Sequence, residues 1–296
     1  MDLYIEGVGF GIIAAASILL GAMGFTLQFG LTNVLNIGYG AIMTAGAFVC
    51  YILHVWGLNI WAAVFFAGVA TSLLTLLIAK TILTVYVRKG AALFEMAMIT
   101  FGVALILENG LAALTRSNTY ILSMGLEKAH SIGPIRFTTT QLVLVLLALT
   151  VFILLDLFLH ATKVGKALRA TAVDPDLARA CGIATSRIIS VAWLMSGFLC
   201  GLAGGVFTID IFTVNAFTGD TLMPLVIVAA LMGKAGSVRG AVLASLVLGI
   251  VTQVVSIAGG SSYDSVVAYG ALAIALLARP KLLQGGLVAE RVQITV

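Results

Sequence analysis

Residues 7–79 read GVGFGIIAAASILLGAMGFTLQFGLTNVLNIGYGAIMTAGAFVCYILHVWGLNIWAAVFFAGVATSLLTLLIA, without one Asp, Glu, Lys or Arg. A spanning helix needs about 20 apolar residues, so this stretch has room for three. The rest of the chain agrees. Of its 296 residues 61% are hydrophobic and 9% charged, against roughly 25% charged in soluble domains. A water-facing surface made from so few charges would expose apolar patches that soluble monomers avoid. The protein is therefore expected in a bilayer. Its N-terminus carries Asp2 and Glu6 but no Lys or Arg, unlike the basic start of a secretory signal peptide, so the first apolar segment is expected to stay as a span.

Apolar runs bounded by charges, Gly/Asn/Ser clusters or Pro predict spans near 8–29, 32–54, 58–79, 91–114, 140–160, 188–209, 240–258 and 263–279. A shorter run at 221–233, between Asp220 and Lys234 and containing Pro224, reads as a short tilted helix or a re-entrant segment. Orientation follows from Lys and Arg, which are in excess on the cytoplasmic side. With the N-terminus outside and the short run crossing, Lys80, Arg88, Lys89, Lys163, Lys166, Arg169, Arg179, Arg187, Lys234, Arg239, Arg279, Lys281 and Arg291 share one side, leaving Arg116, Lys128 and Arg136 on the other. The expected fold is an all-α polytopic membrane protein of about 8–9 transmembrane helices. Its N-terminus is outside, its C-terminus is cytoplasmic, and residues 1–296 form a single transmembrane domain. Two connections are long enough to act: a polar outer loop at 115–139, suited to cover a pathway, and a charged inner loop at 161–187.

Several function classes are excluded by what is missing. ATP hydrolysis by this chain would need a GxxxxGK[ST] loop, and Gly233-Lys234-Ala235 lacks both the upstream Gly and the Ser/Thr. No HExxH or GxSxG occurs, so no catalytic residues are expected. Cys50, Cys181 and Cys200 have no metal-ligand spacing, and His54, His130 and His160 fall in different segments, so no metal site is expected. The net charge of +4 lies in loops between apolar runs, which argues against a nucleic-acid partner. Gly197, Gly201 and Gly205, Gly7 and Gly11, and Gly236 and Gly240 recur at four-residue spacing and predict close helix packing.

The inner loop runs Lys163-Val-Gly-Lys166-Ala-Leu-Arg169-Ala-Thr-Ala-Val-Asp174-Pro175-Asp176-Leu-Ala-Arg179-Ala-Cys-Gly182-Ile183. Asp174 suits an N-cap, Pro175 the first helical position, Asp176 the helix dipole and Gly182 a C-terminal stop, predicting a helix over 175–181. A preceding helical turn places Lys166 and Arg169 on one side, with Ala167, Leu168, Ala170 and Ala172 as small apolar contacts. Two short helices joined at Asp174-Pro175 make a knob suited to another protein's groove, or a basic loop that fixes topology and touches anionic lipid.

From Gly165 to Ile183 this loop resembles the G-[RK]-A-x-R-A-x-A-x-D-x-x-x-A-x-x-x-G-I coupling loop of the permease subunits of branched-chain amino acid ABC importers. Asn36-Ile-Gly38-Tyr39-Gly40 with Met43 and Gly46-Ala-Phe48 resembles the family's N-x-A-H-G-E-x-x-M-x-G-[AS]-Y run, departing at Gly38, Tyr39, Ala41 and Phe48. Gly233 to Ala241 resembles G-G-x-G-S-x-x-G-A, with Lys234 for a Gly and Arg239 for the usual Pro. Length and loop look like the shorter of the family's two permease types. The resemblance implies that Gly165, Lys166, Arg169, Ala170, Asp174, Ala178 and Gly182 belong to short cytoplasmic coupling helices docking on an ATPase. It further implies a second permease subunit (homo- or heterodimer), two cytoplasmic ABC ATPase subunits holding ATP and Mg, a periplasmic or extracellular substrate-binding protein, and a bacterial cytoplasmic (inner) membrane. No cofactor would be bound by this chain itself. Import of urea or short amides by a related permease, and an autonomous channel or secondary carrier, stay open.

For a pathway, Thr26 to Gly40 is unusually polar and flexible for membrane depth, with Gln28, Asn33 and Asn36 among Gly30, Gly38 and Gly40. Irregular backbone there is tolerated only inside protein or beside a wet cavity, so the second span is a candidate broken helix, its Asn33, Asn36, Gly38, Tyr39 and Gly40 near substrate; Gly-lined contact with Asn as interhelical glue is the other reading. Glu95 and Glu108 share the fourth span, where a carboxylate costs ~2.5–3.5 kcal/mol, but sit about 220° apart around the helix. Glu108 is the substrate-side candidate, and Glu95 is expected to pair with Arg88 or Lys89. Asp210 and Asp220 lie near the outer mouth and read either as contacts for substrate or a delivery protein or as solvated loop carboxylates.

Overall fold

The uncharged N-terminal stretch folds first as one long helix, α1 (Asp2–Thr32). At Asn33 the chain turns left-handed, with φ 52°, a conformation Asn tolerates better than most residues. Irregular backbone then runs over 33–38 before α2 (Tyr39–Val55). The second span expected from residue 32 is thus a shorter helix starting at Tyr39, and the break separates two helices instead of interrupting one.

Next comes α3 (Ile60–Ile78), capped by Asn59, whose side chain accepts from the Trp61 N–H at 3.0 Å. It does not stop at Lys80. A π-helical turn (Ala79–Leu83) and α4 (Thr84–Arg88) carry it on, because the first residue that breaks the helix is Gly90, at φ 78°. In α5 (Leu93–Thr115) Glu95 reaches back to accept the Ala92 N–H at 3.0 Å; it caps its own helix, where pairing with Arg88 or Lys89 was expected. A reciprocal Thr138/Gln141 capping box starts α6 (Thr139–Ala161). There follow α7 (Lys163–Val173), α8 (Pro175–Ala180), α9 (Thr185–Ile211), α10 (Thr218–Met232) and α11 (Val238–Gly259). Two connections add short strands to the helices. Strand β1 (Tyr120–Ile121) pairs antiparallel with β4 (Thr213–Val214), and β2 (His130–Ile132) with β3 (Ile135–Phe137).

The computed structural model describes residues 2–124, 130–132, 135–234 and 236–259 and the single positions 266 and 270. The span expected at 263–279, Lys128, Arg279, Lys281, Arg291 and the cytoplasmic C-terminus lie outside the described residues. Within them, six helical segments are long and apolar enough to cross a membrane, while α2 and α10 are shorter apolar helices. At 1.5 Å per residue α10 measures about 22 Å, less than the ~30 Å hydrocarbon core.

Glycine seams decide how the helices pair. Along α1, a Cβ on Gly11 would lie 2.6 Å from the Ile250 Cα, and one on Gly30 2.7 Å from the Gly236 Cα, so α1 and α11 run antiparallel at backbone contact. Along α9, a Cβ on Gly197 would lie 2.7 Å from the Thr75 Cβ and one on Gly205 3.3 Å from Val64, an equivalent antiparallel seam with α3. Thr71 Oγ1 donates across this seam to the Gly197 carbonyl at 2.9 Å, interhelical glue of the expected kind. The result is two interlocked units, α1–α2–α3 and α9–α10–α11. Each has a long helix ended by a left-handed residue, Asn33 or Phe212 (φ 55°), then an irregular connection, a short helix and another span. The first helix of each unit lies along the last helix of the other.

Candidate functional site: a central cavity and a capped knuckle

The two short helices begin inside the protein, and their first turns touch through glycine. A Cβ on Gly219 would run into the Gly40 carbonyl, and one on Gly40 would lie 2.7 Å from Asp220 Oδ1. The Gly219 N–H donates to Thr44 Oγ1 at 2.8 Å, locking α10 to α2. Beside this crossing lies a cavity of about 360 Å³. One wall is the Phe101, Ala104 and Glu108 face of α5; the other is Asp220, Met223, Pro224 and Ile227 of α10; Ile37 of the α1–α2 connection closes it. Glu108 is 8% exposed, with its carboxyl within hydrogen-bonding reach of that of Asp220.

Asp220, for which both a substrate contact and a solvated loop carboxylate were open, is thus a wall of the cavity. Its position in the first turn of α10 was readable; its facing Glu108 was not, because the two helices are remote in sequence. The other pathway residues divide. Gly40 supports Asp220, and Asn33 ends α1. Asn36, 4% exposed, donates to Gln28 Oε1 at 3.2 Å. The Tyr39 hydroxyl lies 3.2 Å from the Gly21 carbonyl and 3.3 Å from that of Ser196, and Gly38 packs on the Thr100 carbonyl. Ile37 N–H donates to Thr100 Oγ1 at 3.2 Å. Asn33, Asn36, Gly38 and Tyr39 do not line the cavity. They hold the 33–38 connection against α1, α5 and α9, so that Ile37 reaches it.

The charged loop at 161–187 folds as its residues require. Thr162 Oγ1 accepts the Gly165 N–H at 2.9 Å to cap α7. Asp174 Oδ1 accepts the N–H groups of Asp176 and Leu177 at 3.0 and 2.9 Å to cap α8, with Pro175 at its first position. Gly182 follows at φ 83°. Gly165, Leu168, Thr171 and Ala178 face inward; a Cβ on Gly165 would run into the Phe158 carbonyl. Lys166, Arg169, Ala170, Asp174 and Gly182 face outward. Leu168, one of the expected small apolar contacts, is 1% exposed and packs inward, whereas Val173 and Leu177, which the loop reading passed over, are 87% and 61% exposed at the tip. Their signal was available: two branched apolar residues flanking a helix cap. Arg239 makes a two-pronged pair with Asp156 of α6, both contacts at 2.8 Å, joining the helix that leads into α7 to the first turn of α11.

Asp174→Ala removes the α8 cap and should cost about 1 kcal/mol, whereas Asp174→Asn retains an accepting oxygen. Thermal unfolding in detergent should therefore separate Ala from Asn; equal loss in both would show that charge, and not capping, is the contribution.

A family model described as the permease component of the branched-chain amino acid transport system matches residues 7–276. The high-affinity branched-chain amino acid transport system permease protein BraD of Pseudomonas aeruginosa is 24% identical over 301 residues, covering 98% of each chain. The probable branched-chain amino acid transport permease protein LivH of Methanocaldococcus jannaschii is 28% identical over 252 residues, 81% of this chain and 77% of that one. Among solved structures, PsaBC from Streptococcus pneumoniae in complex with Fab shares the fold, with a TM-score of 0.53 at 14% identity, covering 96% of this chain and 98% of that one.

Proposed function

Since this chain belongs to the family of branched-chain amino acid transport permease components, we propose that it is the membrane-spanning subunit of an ATP-binding cassette importer and moves branched-chain or related amino acids by alternating access. The observation that carries this reading is the α7–α8 knuckle, a rigid capped corner presenting Val173 and Leu177 between Lys166, Arg169 and Asp174. Such a tip fits a groove on a cytoplasmic ATPase. Gly165 and Ala178 seat the knuckle against the bundle, while the outward residues meet the partner. ATP and Mg are held by two ATPase subunits, a second permease completes the membrane part, and an external binding protein delivers substrate.

In this reading the chain crosses a bacterial inner membrane eight or nine times with its N-terminus outside, and substrate passes the Glu108–Asp220 cavity. The apolar wall of that cavity suits an aliphatic side chain better than urea or a short amide. The test is reconstitution of the complete importer in proteoliposomes. Leucine uptake should require both the binding protein and ATP on the cytoplasmic side; uptake without either would favour an autonomous channel or carrier.

A further inference from the structure

We infer that the cavity between α5 and α10 binds the protonated amino group of an apolar primary amine, and that this chain reads the amino end of its substrate and leaves the carboxylate to other groups. The inference deepens the function proposed above and rests on it for the identity of the cargo, though not for the chemistry of the site.

Glu108 is buried, yet it lines a cavity and has only another carboxyl, Asp220, facing it. No Lys, Arg or His lines the cavity, and among the described residues neither carboxyl joins an ion pair. Two facing carboxyls can share a proton while the cavity is empty, and a cation entering it can take that proton's place as their counter-charge. The first turn of α10 offers a further acceptor. Pro224 has no N–H, which leaves the carbonyl of Asp220, four residues earlier, without its helical donor. An ammonium group has three donors and no acceptor, matching two carboxyls and one carbonyl. Ile37, Phe101, Ala104, Met223 and Ile227 make the remaining wall apolar. That wall suits an aliphatic body and supplies too few oxygens for a hard metal ion, which takes six or more. The volume lies within the usual range of small-molecule sites, ~300–1,000 Å³.

The test bypasses the external binding protein. Full-length permease in detergent is treated with a hydrophobic carbodiimide, and modification of Glu108 and Asp220 is followed by peptide mass spectrometry. Addition of 3-methylbutylamine should slow labelling about tenfold or more when the site is filled, while 4-methyl-2-oxopentanoate, which has leucine's carbon skeleton with a keto group in place of the amine, should leave it unchanged. Protection by the oxo acid, by sodium ion alone, or no protection by the amine would each overturn the inference. In the complete importer, Glu108→Gln and Asp220→Asn should each lower leucine uptake about thirtyfold or more, the size of a lost charge pair. Absence of leucine uptake in the wild-type importer would instead count against the proposed cargo and leave the labelling result standing. Normal uptake in both variants would count against the site.

Discussion

Val173→Asp and Leu177→Asp should each uncouple ATP hydrolysis from substrate while leaving the permease folded. Both side chains are exposed at the tip of the knuckle, so in the isolated chain they lose no packing when replaced. Against a partner's groove the same positions become central and desolvated, where one anchor contributes about 2 kcal/mol or more. That corresponds to ATPase affinity about thirtyfold weaker. A charged carboxylate in place of the anchor adds an unpaired charge to the interface. The control is Leu168, on the opposite face of α7 and 1% exposed. Leu168→Ala should destabilise the permease by ~2–5 kcal/mol before it affects coupling. Substrate-stimulated ATP hydrolysis and co-purification of the ATPase measure the first effect, and thermal unfolding in detergent the second. Full stimulation in both Asp variants would remove the knuckle from the coupling interface.

Gly219→Ala should be damaging out of proportion to its single methyl group. The added Cβ would meet the Gly40 carbonyl and lie 2.8 Å from Thr44 Oγ1, the acceptor of the Gly219 N–H itself. A backbone carbonyl has no alternative rotamer, so α2 and α10 must separate. Overpacking of this kind costs about 1–3 kcal/mol or more, and the separation carries Asp220 away from Glu108, so uptake should fall with stability. Gly102 provides the comparison, since a Cβ there meets nothing within 4 Å. Gly102→Ala should be neutral or stabilising by about 0.5–1 kcal/mol, because Ala suits a helix interior better than Gly. Equal melting temperatures for the two variants would show that the crossing yields.

How far each feature could be read from sequence depends on the range of the force that makes it. Capping is local, and the course of α8, from Asp174 over Pro175 to Gly182, was legible for that reason, though the apolar residues exposed at the tip were not picked out. Hydropathy over a window is nearly as local, so the long helices were placed to within a few residues wherever a charge or glycine closed them. It misled at Lys80, because one long cationic side chain at a helix end can extend to the interface without stopping the helix. It misled again at residue 32, where Asn33 ends a helix by backbone conformation and not by polarity.

The candidate site was half legible. Glu108 stood out because a carboxylate in a span is costly, but Asp220 beside a helix start looked like any solvated acid. Asn36 stood out as a polar group at membrane depth and Tyr39 through the family motif, yet the fold uses them to hold an irregular connection, since a buried amide or phenol needs a partner and the nearest ones belong to protein.

By itself the sequence determined that this is a helical membrane protein, where most helices begin and end, and that a capped knuckle projects from its basic side, because hydropathy, capping and turn chemistry act over a few neighbouring residues. Only the tertiary structure decided which helices touch and what the cavity contains. Spans that are apolar all round carry no stripe to say which side faces protein. A glycine seam announces close approach without naming its partner. The meeting of Glu108 with Asp220 is the sum of such choices: α1 against α11, α9 against α3, and two short helices crossing at Gly40 and Gly219.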